Sequence, residues 1–373
     1  MSECKVPFVD LKAQYLSIKT EIDQAIKNVI DSAVFIGGKT IVDFEQSFAD
    51  AYGVKHVISC ANGTDSLYII MKMLGIGSGD EVITVANSWI SSSETISQAG
   101  AKPVFIDIHP DYFSMDESLL DSAINSRTKA VIAVHLHGQM CAIDKIKKIC
   151  DTYGLFLIED CAQAHFSEYK GVKAGMTGIA GSFSFYPGKN LGAYGDAGAI
   201  ITNDDYLAEK CRMFARHGSF ANQKHQHKIE GINSRMDSIQ AAILLAKLPY
   251  IQRWCEQRIE KSKIYNTLLK DCPFITLPVV RPDSRHTFHL FVIRTNSRDE
   301  LMGYLKSQGV DCTIHYPTIL PLLECYRQYN LQPHDFPVAS KYQNEILSIP
   351  IYPELTESLI NYISREILRF FRS

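Results

Sequence analysis

Between residues 56 and 203, seven short apolar runs rich in valine and isoleucine alternate with stretches of helical periodicity, and few architectures accommodate that alternation. The runs span residues 56–62, 81–87, 102–108, 129–138, 155–160, 181–187 and 197–203. Stretches such as Val104-Phe105-Ile106-Asp107-Ile108 and Leu155-Phe156-Leu157-Ile158-Glu159-Asp160 are apolar at almost every position, as expected of strands covered by helices on both faces. The prediction is an α/β fold around a seven-stranded, mostly parallel sheet, whose ligands gather at the carboxyl ends of the strands.

Beyond this block, residues 234 to about 270 carry helical spacing, with Ile239, Ala242, Ile243 and Ala246 on one face, and read as a long connector. Residues 288–295, a helix near Arg298 to Ser307, and residues 310–317 read as a β-α-β piece of a smaller α+β domain, closed by a helix within 354–372. The expected division is a large domain over residues 1–250 and a small C-terminal domain over 251–373, although no proline- or glycine-rich linker marks it.

With 46% hydrophobic residues the 373-residue chain can bury a large core. Its 41 acidic and 38 basic residues are interspersed, so no basic stripe points to nucleic acid or an anionic membrane, and a small-molecule partner is expected. The first ten residues hold no apolar stretch of signal-peptide length, and no run approaches the roughly 18 apolar residues of a membrane span, which leads to the expectation of a cytoplasmic protein. Ten cysteines lie scattered from Cys4 to Cys325 without CxxC pairs, and those in apolar runs, such as Cys60, Cys141 and Cys161, read as buried thiols. His135 and His137 lack thiolate or carboxylate companions at metal-ligand spacing, so no metal is expected.

The chemistry concentrates in three turns. The run from Gly181 to Gly192 ends a strand in Pro187-Gly188 and delivers Lys189, placed to attack a carbonyl while the preceding serines hold a phosphate. A lone lysine in such a loop is ordinarily solvated; its company gives it meaning. The strand ending in Glu159 and Asp160 puts a carboxylate where it could accept a charge-assisted hydrogen bond from a protonated pyridine nitrogen, with Gln163 and His165 on the same turn. Capping of the next helix is the plainer use of Asp160. The turn Ala61-Asn62-Gly63-Thr64-Asp65 between a strand and a predicted helix offers free N–H groups and the Thr64 hydroxyl to a phosphate, unless Thr64 or Asp65 only caps the helix. Trp89, in a serine-rich loop after the second strand, could stack on a cofactor ring or seal the sheet edge.

Taken together, NGTDSL, EDCAQAH, SFSFYPGKNLG with GDAGAIIT, and Gly231-Ile232-Asn233-Ser234-Arg235-Met236 resemble the DegT/DnrJ/EryC1/StrS family of sugar aminotransferases, over most of the chain and in the family's order. The resemblance implies a pyridoxal-phosphate enzyme of fold type I, a homodimer with a shared active site, and L-glutamate as amino donor. By matching position, Lys189 would form the Schiff base and shuttle a proton, and Asp160 would pair with the pyridine nitrogen. Gln163 would bond the cofactor's 3-oxygen, Trp89 would cover the ring, Gly63, Thr64 and Ser184 would hold the phosphate, and Asn233 would reach the phosphate of the neighbouring subunit. His315 and Tyr316, in IHYPTILP, would line the sugar side. The turn YPGKNLGAYGDAGA is similar to members that aminate a 3-keto nucleotide sugar, dTDP- or UDP-linked, for an amino sugar of a surface polysaccharide, lipopolysaccharide or glycosylated metabolite; 4-keto enzymes tend towards HPVKN turns. Tyr194 stands where the family usually has leucine, which marks it as a residue that could alter the pocket.

Other functions fit less well. A pyridoxamine-phosphate-dependent dehydratase of this fold would replace the lysine, commonly by histidine; a binding or regulatory protein has no need of Lys189, Asp160 and Gln163 together; and no GxGxxG follows a predicted strand, as a dinucleotide-dependent oxidoreductase requires.

Overall fold

The computed structural model describes residues 6–219 and 225–372. All seven apolar runs form strands of one sheet: β1 (His56–Cys60), β2 (Glu81–Val85), β3 (Lys102–Ile106), β4 (Thr128–Val134), β5 (Phe156–Asp160), β6 (Ala180–Ser184) and β7 (Gly198–Thr202). Across the sheet they run β1-β7-β6-β5-β4-β2-β3. Only β7 opposes its neighbours, pairing antiparallel with β1 and β6, while the remaining pairs are parallel. Every residue of β2 and β7 is buried, which is why these strands show no polar alternation. This is the α/β architecture of fold type I, and it brings the carboxyl ends of β1, β2, β5 and β6 to one edge.

Helices α1 (Leu11–Ser17), α2 (Lys19–Ser32) and α3 (Lys39–Tyr52) precede the sheet. In α3, Ile41, Phe44, Phe48 and Tyr52 recur at helical spacing on the buried face. The Phe48 ring meets Phe183 at 5.5 Å and Phe185 at 5.4 Å, edge to face, fastening α3 to β6 and to the turn that carries Lys189. Helices α4 (Gly63–Met73) and α5 (Ser91–Ala99) follow β1 and β2, so both begin at the sheet edge where the strands end.

Helix α6 (Asp205–Phe214) follows β7, and the predicted connector resolves into α7 (Ser238–Lys247) and α8 (Ile251–Leu269). Strand β8 (Phe291–Arg294) and helix α9 (Arg298–Ser307) fall where the sequence places them, and α10 (Glu357–Phe370) closes the fold. Residues 310–317, expected to be the second strand of a β-α-β piece, are not one. The partner of β8 is β9 (Ile346–Ile349), antiparallel and buried throughout. Val310 and Thr313 make only single bridges, to Val6 and Ser348. The fully buried Ile-Leu-Ser-Ile segment outcompetes a stretch interrupted by Asp311 and His315 for that edge.

Two apolar cores result. The larger surrounds the main sheet and takes in Ile319, Leu320, Tyr326 and Phe336, which lie beyond residue 250; the smaller joins Tyr265, Phe291, Leu301, Ile349 and Ile363 with Val6. No helix among the described residues is long and apolar enough to cross a membrane. Cys4 lies outside the described residues; the other nine cysteines are free, and all but Cys325 are buried.

Candidate active site

A cavity of about 650 Å³ opens at the carboxyl ends of β1, β2, β5 and β6. Nine of the eleven residues singled out in the sequence line it: Gly63, Thr64, Trp89, Asp160, Gln163, Ser184, Lys189, His315 and Tyr316.

One end of the cavity is suited to an anion. Helix α4 begins at Gly63, and its cap is Asn62, whose side chain accepts from the Asp65 N–H at 2.8 Å; neither Thr64 nor Asp65 plays that part. The amides of Gly63 and Thr64 at this helix start, the Thr64 hydroxyl and Ser184 therefore frame one recess. The Thr64 hydroxyl bonds Ser91 at 2.7 Å, tying α4 to α5.

Asp160 ends β5 and is buried, with one oxygen accepting from the Ala162 N–H at 3.1 Å and the other from the Ser92 hydroxyl at 2.9 Å. Burial raises its pKa, against the pull of these two donors and of the Lys189 charge. Lys189 sits on the turn after β6, its N–H bonded to the Tyr186 carbonyl. Burial draws its ammonium down to about 8, while the Asp160 carboxylate resists that fall. Among the described residues nothing hydrogen-bonds its Nζ, so the amine is free to react.

Gln163 is fixed from both ends: its Oε1 accepts from the His137 N–H at 2.7 Å, and its Nε2 donates to the Tyr316 hydroxyl at 3.0 Å. The Tyr316 hydroxyl hydrogen is thereby left to point elsewhere. The ring of Tyr316 lies 5.7 Å from that of Trp89. Trp89 is 58% exposed, so it does not seal the sheet edge; it stands at the cavity with its ring unburied. His315 is held by Ser348 at 2.9 Å, and burial, aided by Lys189, lowers its pKa to about 4, leaving a neutral imidazole.

Two expectations fall outside this cavity. Tyr194 does not line it. The backbone N–H of Tyr194 donates to Gln240 on α7, its ring lies edge-on to Tyr15, and the buried Lys247 ammonium sits 4.3 Å above it, so the side chain faces the helices behind the turn. Asn233 is exposed, away from its own chain's cavity, with Oδ1 accepting from Arg235.

The residues that sequence reasoning missed include two serines. Ser88 and Ser91 line the cavity with Asn62, Tyr186 and Asp196. The serine-rich stretch 88–93 is a visible signal, but its partner Asp160 is distant in sequence. Nor do the histidines stand without a carboxylate: His135 Nε2 lies 2.8 Å from Glu159, with Cys161 close by. The Cys141 N–H donates to His135 Nδ1, so this imidazole is neutral and gives its one proton to Glu159. Glu159 also accepts from the Gly175, Thr177 and Gly178 amides at 2.9, 2.7 and 2.6 Å. Burial works against its charge, yet these donors, His135 foremost, hold its pKa below the usual range. Four hydrogen bonds already satisfy the carboxylate, and the cluster is accounted for without a metal.

Comparison with known proteins points the same way. The family model for the DegT/DnrJ/EryC1/StrS aminotransferase family matches residues 16–368. The chain is 42% identical over 369 residues to the pleiotropic regulatory protein of Geobacillus stearothermophilus, covering 98% of this chain and 99% of that protein. It is 39% identical over 351 residues to the dTDP-3-amino-3,4,6-trideoxy-alpha-D-glucose transaminase of Streptomyces venezuelae, covering 94% and 92%. Among solved structures, S. venezuelae DesV in complex with a ketimine intermediate superposes with a TM-score of 0.96 at 38% identity, over 99% of both chains. Bacillus subtilis NtdA with bound cofactor PMP gives 0.92 at 29% identity, over 100% of this chain and 86% of that one.

Proposed function

We propose that this chain, which belongs to the DegT/DnrJ/EryC1/StrS aminotransferase family, uses pyridoxal phosphate to move an amino group from L-glutamate to the C3 keto group of a nucleotide-linked hexose. The observation that carries the reading is the convergence of Lys189, Asp160, Gln163 and the Gly63–Ser184 recess in one cavity. The residues present fit the cofactor: the recess takes an anion, Asp160 has lone pairs to spare, and the Lys189 amine has no competing hydrogen bond. When bound, pyridoxal phosphate supplies an aldehyde and an electron-accepting ring.

The protein's own groups do the rest. Lys189 Nζ, its pKa lowered by burial, would hold the cofactor at its aldehyde carbon and would carry a proton to and from the substrate carbon. Asp160 holds a proton on the ring nitrogen. Gln163, immobilised by His137, orients the ring through its 3-oxygen, and Trp89 covers one face and excludes water. Gly63, Thr64 and Ser184 bind the phosphate. His315 and Tyr316 face the sugar, with the Tyr316 hydroxyl hydrogen available to a sugar oxygen. Asn233, exposed on its own chain, serves the phosphate of the neighbouring subunit in a homodimer. The 3-amino product named for the S. venezuelae relative supports C3 over C4.

The test is the visible spectrum of purified protein with pyridoxal phosphate, then with L-glutamate, then with dTDP- and UDP-linked 3-keto and 4-keto sugars. A cofactor band lost with glutamate and restored by one 3-keto sugar is the expected result. Restoration only by a 4-keto sugar would overturn the regiochemistry; no band at all, or one unaltered in Lys189→Ala, would overturn the role of Lys189.

A further inference from the structure

Asp160 is a buried carboxylate whose two oxygens are each occupied once, by the Ala162 N–H and by the Ser92 hydroxyl. The Ser92 bond is directed. An ionised carboxylate only accepts, so Ser92 spends its single O–H proton on Asp160; the 2.8 Å contact between the Ser88 and Ser92 hydroxyls must then have Ser88 as donor. A chain of hydroxyls thus runs from Ser88, at the cavity wall, through the fully buried Ser92 to Asp160. The start of α5 builds it: Ser88 lies in the bend just before the helix, and Ser92 lies in the first turn. Nothing in packing demands a hydroxyl at Ser92, where alanine would fill nearly the same volume at less desolvation cost.

We propose that Ser92 is a positioning residue for Asp160, holding the carboxylate ionised and turned so that a free lone pair meets the cofactor's ring nitrogen, with Ser88 polarising the Ser92 hydroxyl from behind. The inference rests on the proposed reading that pyridoxal phosphate lies in this cavity with its ring nitrogen on Asp160. Without the Ser92 donor, burial pushes the proton towards Asp160 and away from the ring. Among the described residues, the Lys189 amine, the neutral His135 imidazole, the Cys161 thiol and the Tyr316 phenol are the other titratable groups coupled to this carboxylate, and none of them occupies the Ser92 position.

The experiment is ¹⁵N NMR of protein reconstituted with ring-¹⁵N-labelled pyridoxal phosphate, alongside cofactor affinity and thermal unfolding, for wild type, Ser92→Ala and Ser88→Ala. The wild-type resonance is expected at the protonated-ring position. In Ser92→Ala it should move towards the unprotonated position with affinity reduced about fivefold, the equivalent of one hydrogen bond, and Ser88→Ala should move it less in the same direction. A folded Ser92→Ala protein with the wild-type resonance and affinity would overturn the proposal. Should Ser92→Ala fail to fold, an unmoved resonance in Ser88→Ala would overturn it equally. An unprotonated ring in the wild type would instead remove the pairing of Asp160 with the ring, a failure of the underlying reading and distinguishable from the first.

Discussion

Gly63 and Ser184 approach so closely that a Cβ on the glycine would lie 2.7 Å from the serine's Cβ and 3.1 Å from its Cα. One belongs to the start of α4 and the other to the end of β6, so neither has a flexible end that can give way. Gly63→Ala is expected to spread the recess and weaken pyridoxal phosphate binding about tenfold, within the cost of roughly 1–3 kcal/mol typical of overpacking. Titration of the apoprotein, with inorganic phosphate as competitor, would measure this; unchanged affinity for both would place the phosphate elsewhere.

The lowered pKa of Lys189 makes a kinetic prediction. Only the neutral amine attacks an aldehyde, and its fraction grows as pH rises through the pKa. The rate at which apoprotein captures pyridoxal phosphate should therefore climb with pH and level off above about 8, rather than near the ordinary lysine value of 10.5. Asp160 favours the ammonium, so Asp160→Asn should shift the midpoint lower. Stopped-flow absorbance across this range decides the matter, and a midpoint at the ordinary value would mean that Lys189 is solvated.

Glu159 carries a buried charge satisfied by four donors, and Glu159→Gln would set an NH₂ group against backbone amides. The loss expected is about 3 kcal/mol at neutral pH, read by chemical denaturation. The sign with pH follows from a folded pKa held below the unfolded 4.5. The advantage of wild type over the variant is complete above about pH 4.5 and shrinks as pH falls through the folded value. A constant difference down to strong acid would contradict ionisation of Glu159.

Trp89 separates binding from stability. At 58% exposure it contributes little packing, so Trp89→Ala should change unfolding free energy by less than about 0.5 kcal/mol. Loss of a ring that stacks on the cofactor should nevertheless weaken binding several-fold, by about 1 kcal/mol. Equal affinity for wild type and variant would assign the indole to another partner.

The main sheet was legible because each strand is buried on both faces and writes its burial into consecutive residues, and because α9 keeps helical spacing between residues 298 and 307. Residues 310–317 misled because an apolar stretch says nothing about which neighbour takes the adjoining edge; β9, some fifty residues after β8, claimed it. Lys189, Asp160 and Gly63 could be found since each sits on a turn at a strand end, where a loop residue must have a reason. Tyr194 sits on such a turn as well, yet its side chain follows Tyr15 and Lys247, partners remote in sequence that no local pattern announces. The hydroxyl chain through Ser92 and the bond between His135 and Glu159 were invisible for the same reason.

The backbone of Val6 is clasped between Gly309 and Asp311, through Val6 N–H to Gly309 and Asp311 N–H to Val6, at 3.0 and 2.9 Å. A ribosome adding about 5–20 residues per second completes that clasp only after about 300 further residues, roughly a quarter of a minute to a minute later. The smaller core cannot mature as an independent late module, because its Val6 strap precedes the whole main sheet in the chain while its other members follow it. Final assembly of this enzyme is thus a closing of the circle, in which a segment made ahead of the main sheet takes its place only after residues that follow that sheet have emerged.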